Sequence, residues 1–123
     1  MGGEKLEVGI KSYEDLEVYQ QGFRLAVEVH KLTRAFPTAE RRELGYQMRR
    51  AAVSIPANIA EGYGRKNSSA EFKHFLRNAL GSSNEVSVLL KLARELGYIA
   101  DNSIIGEYET LGKRIYCLIE GWK

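Results

Sequence analysis

Apolar residues recur every three or four positions along four long stretches, the spacing of a helix face. In the first, about 12–36, one stripe is Leu16, Tyr19, Phe23, Ala26, His30 and Thr33. A second is Val18, Gly22, Leu25, Val29, Leu32 and Phe36. Ser12 is the expected N-cap, and Glu14, Asp15 and Glu17 suit the positive end of the dipole. Phe36-Pro37-Thr38 stops the helix, because a residue before proline is pushed out of the α region. The second helix is expected from Thr38 as N-cap into the low sixties. Its apolar face is Leu44, Met48, Ala51, Ala52, Ile55 and Ile59. Pro56 lies inside this pattern and predicts a kink near Ala52–Pro56, and Gly62 and Gly64 supply its C-terminal glycine. The third starts from Ser68 or Ser69, with Phe72, Phe75, Leu76, Ala79, Leu80, Ser83, Val86, Leu90 and Ala93 on one face and Leu89, Leu92 and Leu96 widening it. Gly97 ends it. The fourth starts at Asp101 or Ser103. Its stripes are Ile104, Tyr108, Leu111, Ile115, Leu118 and Trp122, then Ile105, Gly112, Tyr116 and Ile119. No stretch shows strand alternation or a hairpin signal.

Long helices joined by short loops predict an all-α, antiparallel up-down-up-down four-helix bundle over 12–123, after a flexible segment 1–11. The length, 123 residues, suits one core. Charges interrupt every apolar run well short of the ~20 residues of a membrane span. The start lacks the apolar core of a secretory signal, so a cytoplasmic protein is expected. One cysteine, Cys117, excludes an intramolecular disulfide, and two histidines make a zinc site within one chain implausible. No cofactor and no metal are expected. The charges sum to +2, unevenly: residues 38–66 carry +3, residues 67–99 +1, and the terminal segments 1–37 and 100–123 −1 each. Such a patch suits an anionic partner.

The run Val53-Ser54-Ile55-Pro56-Ala57-Asn58-Ile59-Ala60-Glu61-Gly62-Tyr63-Gly64-Arg65 is distinctive, because bundle packing does not demand it. With Glu71-Phe72, Phe75-Leu76, Ala79-Leu80-Gly81-Ser82-Ser83-Asn84-Glu85 and Ala93-Arg94-Glu95-Leu96-Gly97-Tyr98-Ile99, it resembles the bacterial 23S ribosomal RNA intervening-sequence protein family. The resemblance covers about 12–120. It implies a four-helix protomer that assembles as a ring, typically a pentamer, with no established enzymatic activity. It also implies likeness in fold to the accessory variability protein of diversity-generating retroelements, a basic pentamer that binds nucleic acid and a reverse transcriptase.

Arg41, Arg42, Arg49 and Arg50 are candidate phosphate contacts, Arg42 and Arg49 sharing a face at a spacing of seven. Arg65, Lys66 and Lys73 are candidate auxiliaries. The loop from Gly62 to Ser69 precedes a helix N-terminus where anions are attracted, but matches no phosphate-loop pattern, so ordinary capping is the simpler reading. Asn58, Glu61, His74, Asn78, Ser82 and Glu85 form a candidate polar network. A catalytic version would make Glu85 or Glu61 a base with His74 as proton partner. No nucleophile, metal set or oxyanion device completes it, so a structural network is expected and the protein is read as no enzyme. Tyrosines at helical spacing are read as core or interface before base-stacking platforms, and Cys117 as a small core or interface residue. The doubled stripes of the first and fourth helices leave a surplus for a homo-oligomer interface, with Val18, Leu25, Val29, Ile105, Tyr116 and Ile119 as anchors. Two functions remain. One is an oligomer that binds RNA or DNA through its basic patch; the other is an oligomeric protein-interaction scaffold without physiological nucleic-acid binding. Neither involves a membrane.

Overall fold

A computed structural model describes residues 9–100 and 102–123. The expected start Asp101 and most of the expected flexible segment, 1–8, lie outside the described residues. Ile10 packs half-buried against the core. A 3-10 turn over Tyr13–Asp15 leads into α1 (Glu17–Thr33), followed by α2 (Thr38–Arg42), α3 (Leu44–Tyr63), α4 (Ser69–Glu95) and α5 (Ser103–Gly121). Among the described residues there is no strand. The four long helices form a bundle: α1 packs on α3 and α5, and α4 on α3 and α5.

The element ends show which local signals governed. Ser12 caps only the 3-10 turn. Its hydroxyl accepts from the Glu14 N–H at 3.2 Å, and the Asp15 carboxylate accepts from the Lys11 and Ser12 N–H groups. These backbone bonds hold the Asp15 carboxyl below the usual range. Leu16 then leaves helical geometry and α1 starts afresh. The second predicted helix is two. Glu43 takes φ −95°, ψ −81°, and this break separates α2 from α3, with Pro37 rather than Thr38 as the cap of α2. α3 continues through Pro56, whose ring is buried towards Gly22 of α1. Ser68 is the N-cap of α4, accepting from the Glu71 N–H at 3.2 Å. Gly97 closes α4 at φ +83°. The Tyr98 and Gly97 N–H groups return to the Ala93 and Arg94 carbonyls, the double bond of a Schellman turn.

Gly62 does not end α3. It is buried inside the helix, where an added Cβ would lie 2.6 Å from the Phe75 Cβ. Its missing side chain lets α3 and α4 touch, and the cap itself, Gly64, has ordinary φ −64°.

The core contains most of the predicted stripes: Leu25, Val29, Met48, Ile55, Ile59, Phe72, Leu76, Leu90, Tyr108, Leu111 and Ile115 are fully buried. The exceptions are at the edges. Phe23, His30, Leu92, Leu96 and Tyr116 face outward. Cys117, expected in a core or interface, is exposed on the protomer. A real helix turns 100° per residue, so a stripe followed for six turns drifts off the buried sector.

Candidate nucleic-acid interface

The turn at Pro37 folds α2 back beside the end of α1, and backbone carbonyls released there gather arginines. Arg41 donates to the Arg34 carbonyl at 3.4 Å. Arg49 donates to the buried Thr33 hydroxyl at 3.1 Å and to the Arg41 carbonyl at 3.3 Å. Arg50 lies with its guanidinium 5.9 Å from the centre of the Tyr46 ring. Arg42 is exposed and has no ion pair among the described residues. Lys31 and Arg34 complete this end from the last turns of α1. Of the two acids nearby, Glu40 accepts from the Tyr98 hydroxyl at 3.3 Å. Burial first, and then the Glu40 carboxylate, raise the Tyr98 pKa.

Two expectations change. Arg42 and Arg49 do not share one helix face, because the break at Glu43 resets the helical phase between them. Arg49 is half-buried and ties three segments together, so part of its donor set is already used. Lys31 and Arg34 escaped sequence reasoning because they sit in a segment of net charge −1. The proline stop at Pro37 was the signal that α1 must end beside whatever follows.

Arg65 and Lys66 lie in the turn after α3 and Lys73 in the first turns of α4, at the far end of α3, about 30 Å away for a 20-residue helix at 1.5 Å per residue. Arg65 bonds Glu61 at 3.1 Å and Glu71 at 3.4 Å, and stands over the Phe75 ring at 5.2 Å. Its charge is largely answered. Lys66 stands over the Tyr63 ring at 4.9 Å, and Lys73 is half-buried.

The predicted polar network is smaller and centred elsewhere. Asn58 donates to the Ser54 carbonyl and hydroxyl at 2.8 and 2.9 Å, and the Ser54 and Ser82 hydroxyls meet at 2.8 Å. Ser54 was missed, although its spacing of four from Asn58 was visible. Glu61 belongs to Arg65, His74 stacks edge-on to its neighbour Phe75, and Asn78 and Glu85 are exposed. The six are not brought together. Five of the six interface anchors, Val18, Leu25, Val29, Ile105 and Ile119, are spent in the protomer's own core; only Tyr116 is exposed.

A family model described as 23S rRNA-intervening sequence protein matches residues 14–117. The chain belongs to that family. No curated protein matches it. The matched span takes in α1, α3 and α4 whole and α5 as far as Cys117, and with them the arginine cluster and the Ser54–Asn58–Ser82 contact. Among the described residues, no helix is long and apolar enough to cross a membrane.

Proposed function

We propose that the protein is a non-enzymatic, cytoplasmic, homo-oligomeric bundle that holds nucleic acid by its phosphates, through the cationic end built from Lys31, Arg34, Arg41, Arg42 and Arg50. The observation that carries this reading is the convergence of cations from α1, α2 and α3 on one end, held there by Arg41 and Arg49 on backbone carbonyls. Phosphate contacts position a strand without reading its sequence. The up-down-up-down order belongs to this proposal and is supported by contacts along α1 and α5. Gln21 reaches Arg114, Arg24 reaches Glu107, and Glu28 borders Ser103 and Ile104. A ring of five is the assembly the family resemblance suggests. It would present the cluster several times, and linked weak contacts raise avidity.

The test is an RNA titration at two salt concentrations, with wild type beside Arg42→Glu/Arg50→Glu, both exposed positions. Sequence-insensitive binding is expected, falling with salt at a slope of about −0.7 per phosphate neutralised on a single strand, and weakened in the variant. Equal affinity in both proteins, or no binding at low salt, rejects it. A second reading, a scaffold for another protein, is favoured by the exposed side chains of Phe23, Val53, Val88 and Leu92. A pull-down from native lysate with and without nuclease separates the two.

A further inference from the structure

One apolar hollow of the protomer opens onto the cationic end, and its lining changes character along its length. α1 and α3 run past each other with Gly22 against Pro56 and Thr33 against Arg49. The groove between them holds a hollow of about 360 Å³. At its far end Phe23, Val27 and Val53 are 54%, 42% and 47% exposed. At its near end it is lined by His30, Lys31 and Arg34, and no carboxylate lines it. The change from apolar to cationic takes one helical turn, from Val27 to His30 and Lys31. Arg34 joins the hollow to the cluster, because its carbonyl holds Arg41. On α3 the strip continues at helical spacing from Val53 to Arg50 and Tyr46, a second exposed ring beside a cation.

Phe23 is also held in place. Its ring centre is 5.9 Å from that of Tyr19, and the Tyr19 ring packs edge-on to Tyr13 at 4.9 Å. The His30 ring is fixed by its Nδ1–H bond to the Ala26 carbonyl at 3.0 Å. Side chains that are already ordered lose little entropy when a ligand arrives. The protomer's own packing gives no reason for an aromatic ring more than half exposed beside a cation-lined groove, and such apolar surface marks interaction sites.

We propose that the α1–α3 groove takes an unpaired base of a single nucleic-acid strand, stacked on Phe23, while the adjoining phosphates lie on Lys31 and Arg34. This rests on the phosphate reading above and narrows its ligand to single-stranded nucleic acid. Aromatic rings interleaved with cations hold single strands because every base has a π-face, so stacking needs no particular sequence. In a duplex the bases stack on one another and do not reach such a ring. An acidic amphipathic helix fits less well. It is held by apolar anchors over two turns or more, and here cations replace the apolar lining after Val27. Charge separates the two forms of nucleic acid as well. A duplex carries about twice the charge per unit length of one of its strands. Phosphate contacts alone therefore favour the duplex, and base contact is what reverses the order.

The test compares three ligands of equal length on the wild-type protein at one low salt concentration. They are an unstructured RNA strand, the same strand annealed to its complement, and a sugar–phosphate strand without bases. The RNA single strand is expected to bind tightest. Phe23→Ala is expected to weaken that binding about fivefold or more, the lower bound for one stacked base. Its salt slope and its affinity for the baseless strand are expected to stay those of wild type, because no phosphate contact is lost. Phe23→Tyr keeps a ring and is expected to retain most of the affinity. Circular dichroism and light scattering check that both variants keep the wild-type fold and mass; if Phe23→Ala loses either, the three wild-type titrations still decide. A duplex or baseless strand bound as tightly as the RNA single strand overturns the inference and leaves the phosphate reading standing. So does a folded Phe23→Ala of unchanged mass that binds the RNA strand as wild type does. Wild type without base preference, beside a folded Phe23→Ala of altered mass, also overturns it and gives the groove to another copy. No binding of any of the three ligands overturns both readings.

Discussion

Glycine to alanine has opposite signs at different positions of this protein, and the neighbours decide which. At Gly62 the new Cβ would meet the Phe75 Cβ at 2.6 Å and the Phe72 carbonyl at 3.3 Å. Neither is a flexible chain end, so helix backbone must move. Overpacking of this kind costs about 1–3 kcal/mol, against a helix-propensity gain of about 1 kcal/mol. Gly62→Ala is expected to lower the midpoint of thermal unfolding. At Gly106 the added Cβ meets nothing within 4 Å, so Gly106→Ala keeps only the propensity gain and is expected to raise it. Tyr108 is the other residue whose substitution reads clearly. It is fully buried, and its hydroxyl has no hydrogen-bond partner. A buried unsatisfied group costs about 1–3 kcal/mol, so Tyr108→Phe is expected to stabilise by roughly 1 kcal/mol. Burial, more than the nearby Glu28, pushes the phenol pKa far above its ordinary value. The unfolded phenol therefore loses its proton first as pH rises past about 10, and stability falls above that pH. Urea titrations at alkaline pH are expected to show a shallower decline for Tyr108→Phe than for wild type.

Among the helices, the break at Glu43 separates two arginines that a continuous helix would have paired. Arg49 faces inward to Thr33 and the Arg41 carbonyl, while Arg42 points to solvent. Arg49→Ala is expected to lose about 1.5–3 kcal/mol, the scale of hydrogen bonds that involve a charged group. Arg42→Ala is expected to stay within about 0.5 kcal/mol. Chemical denaturation of both variants checks the contrast. The four long helices were legible because Leu25, Val29, Ile55, Ile59, Leu76, Leu90, Leu111 and Ile115 keep period through many turns. Ser68 and Gly97 were legible as caps because each acts within one turn. The interruptions at Leu16 and Glu43 were not, since both are residues that helices ordinarily accept and no proline or glycine marks them. Of the site, Arg41, Arg42 and Arg50 were legible as local charge. Lys31 and Arg34 join them only through the fold. The interface anchors failed because a doubled stripe also describes a helix wedged between two neighbours, as α1 is between α3 and α5.

Taken as a whole, the molecule carries weak surface features, which an assembly of copies would multiply. A single cationic end offers few phosphate contacts, so affinity is expected to depend on assembly. At equal protomer concentration, binding is expected to be tighter on a long strand than on a short one. Fluorescence anisotropy with strands of graded length checks this: the gain should vanish on strands too short to reach two protomers. The placement of the exposed apolar side chains has a genetic consequence. Phe23, Val27 and Val53 all precede the turn at Gly64–Asn67, and Val88, Leu92 and Tyr116 all follow it. Each half of the gene thus encodes one of these sets, and a crossover within the codons for that turn would pass on either set without the other.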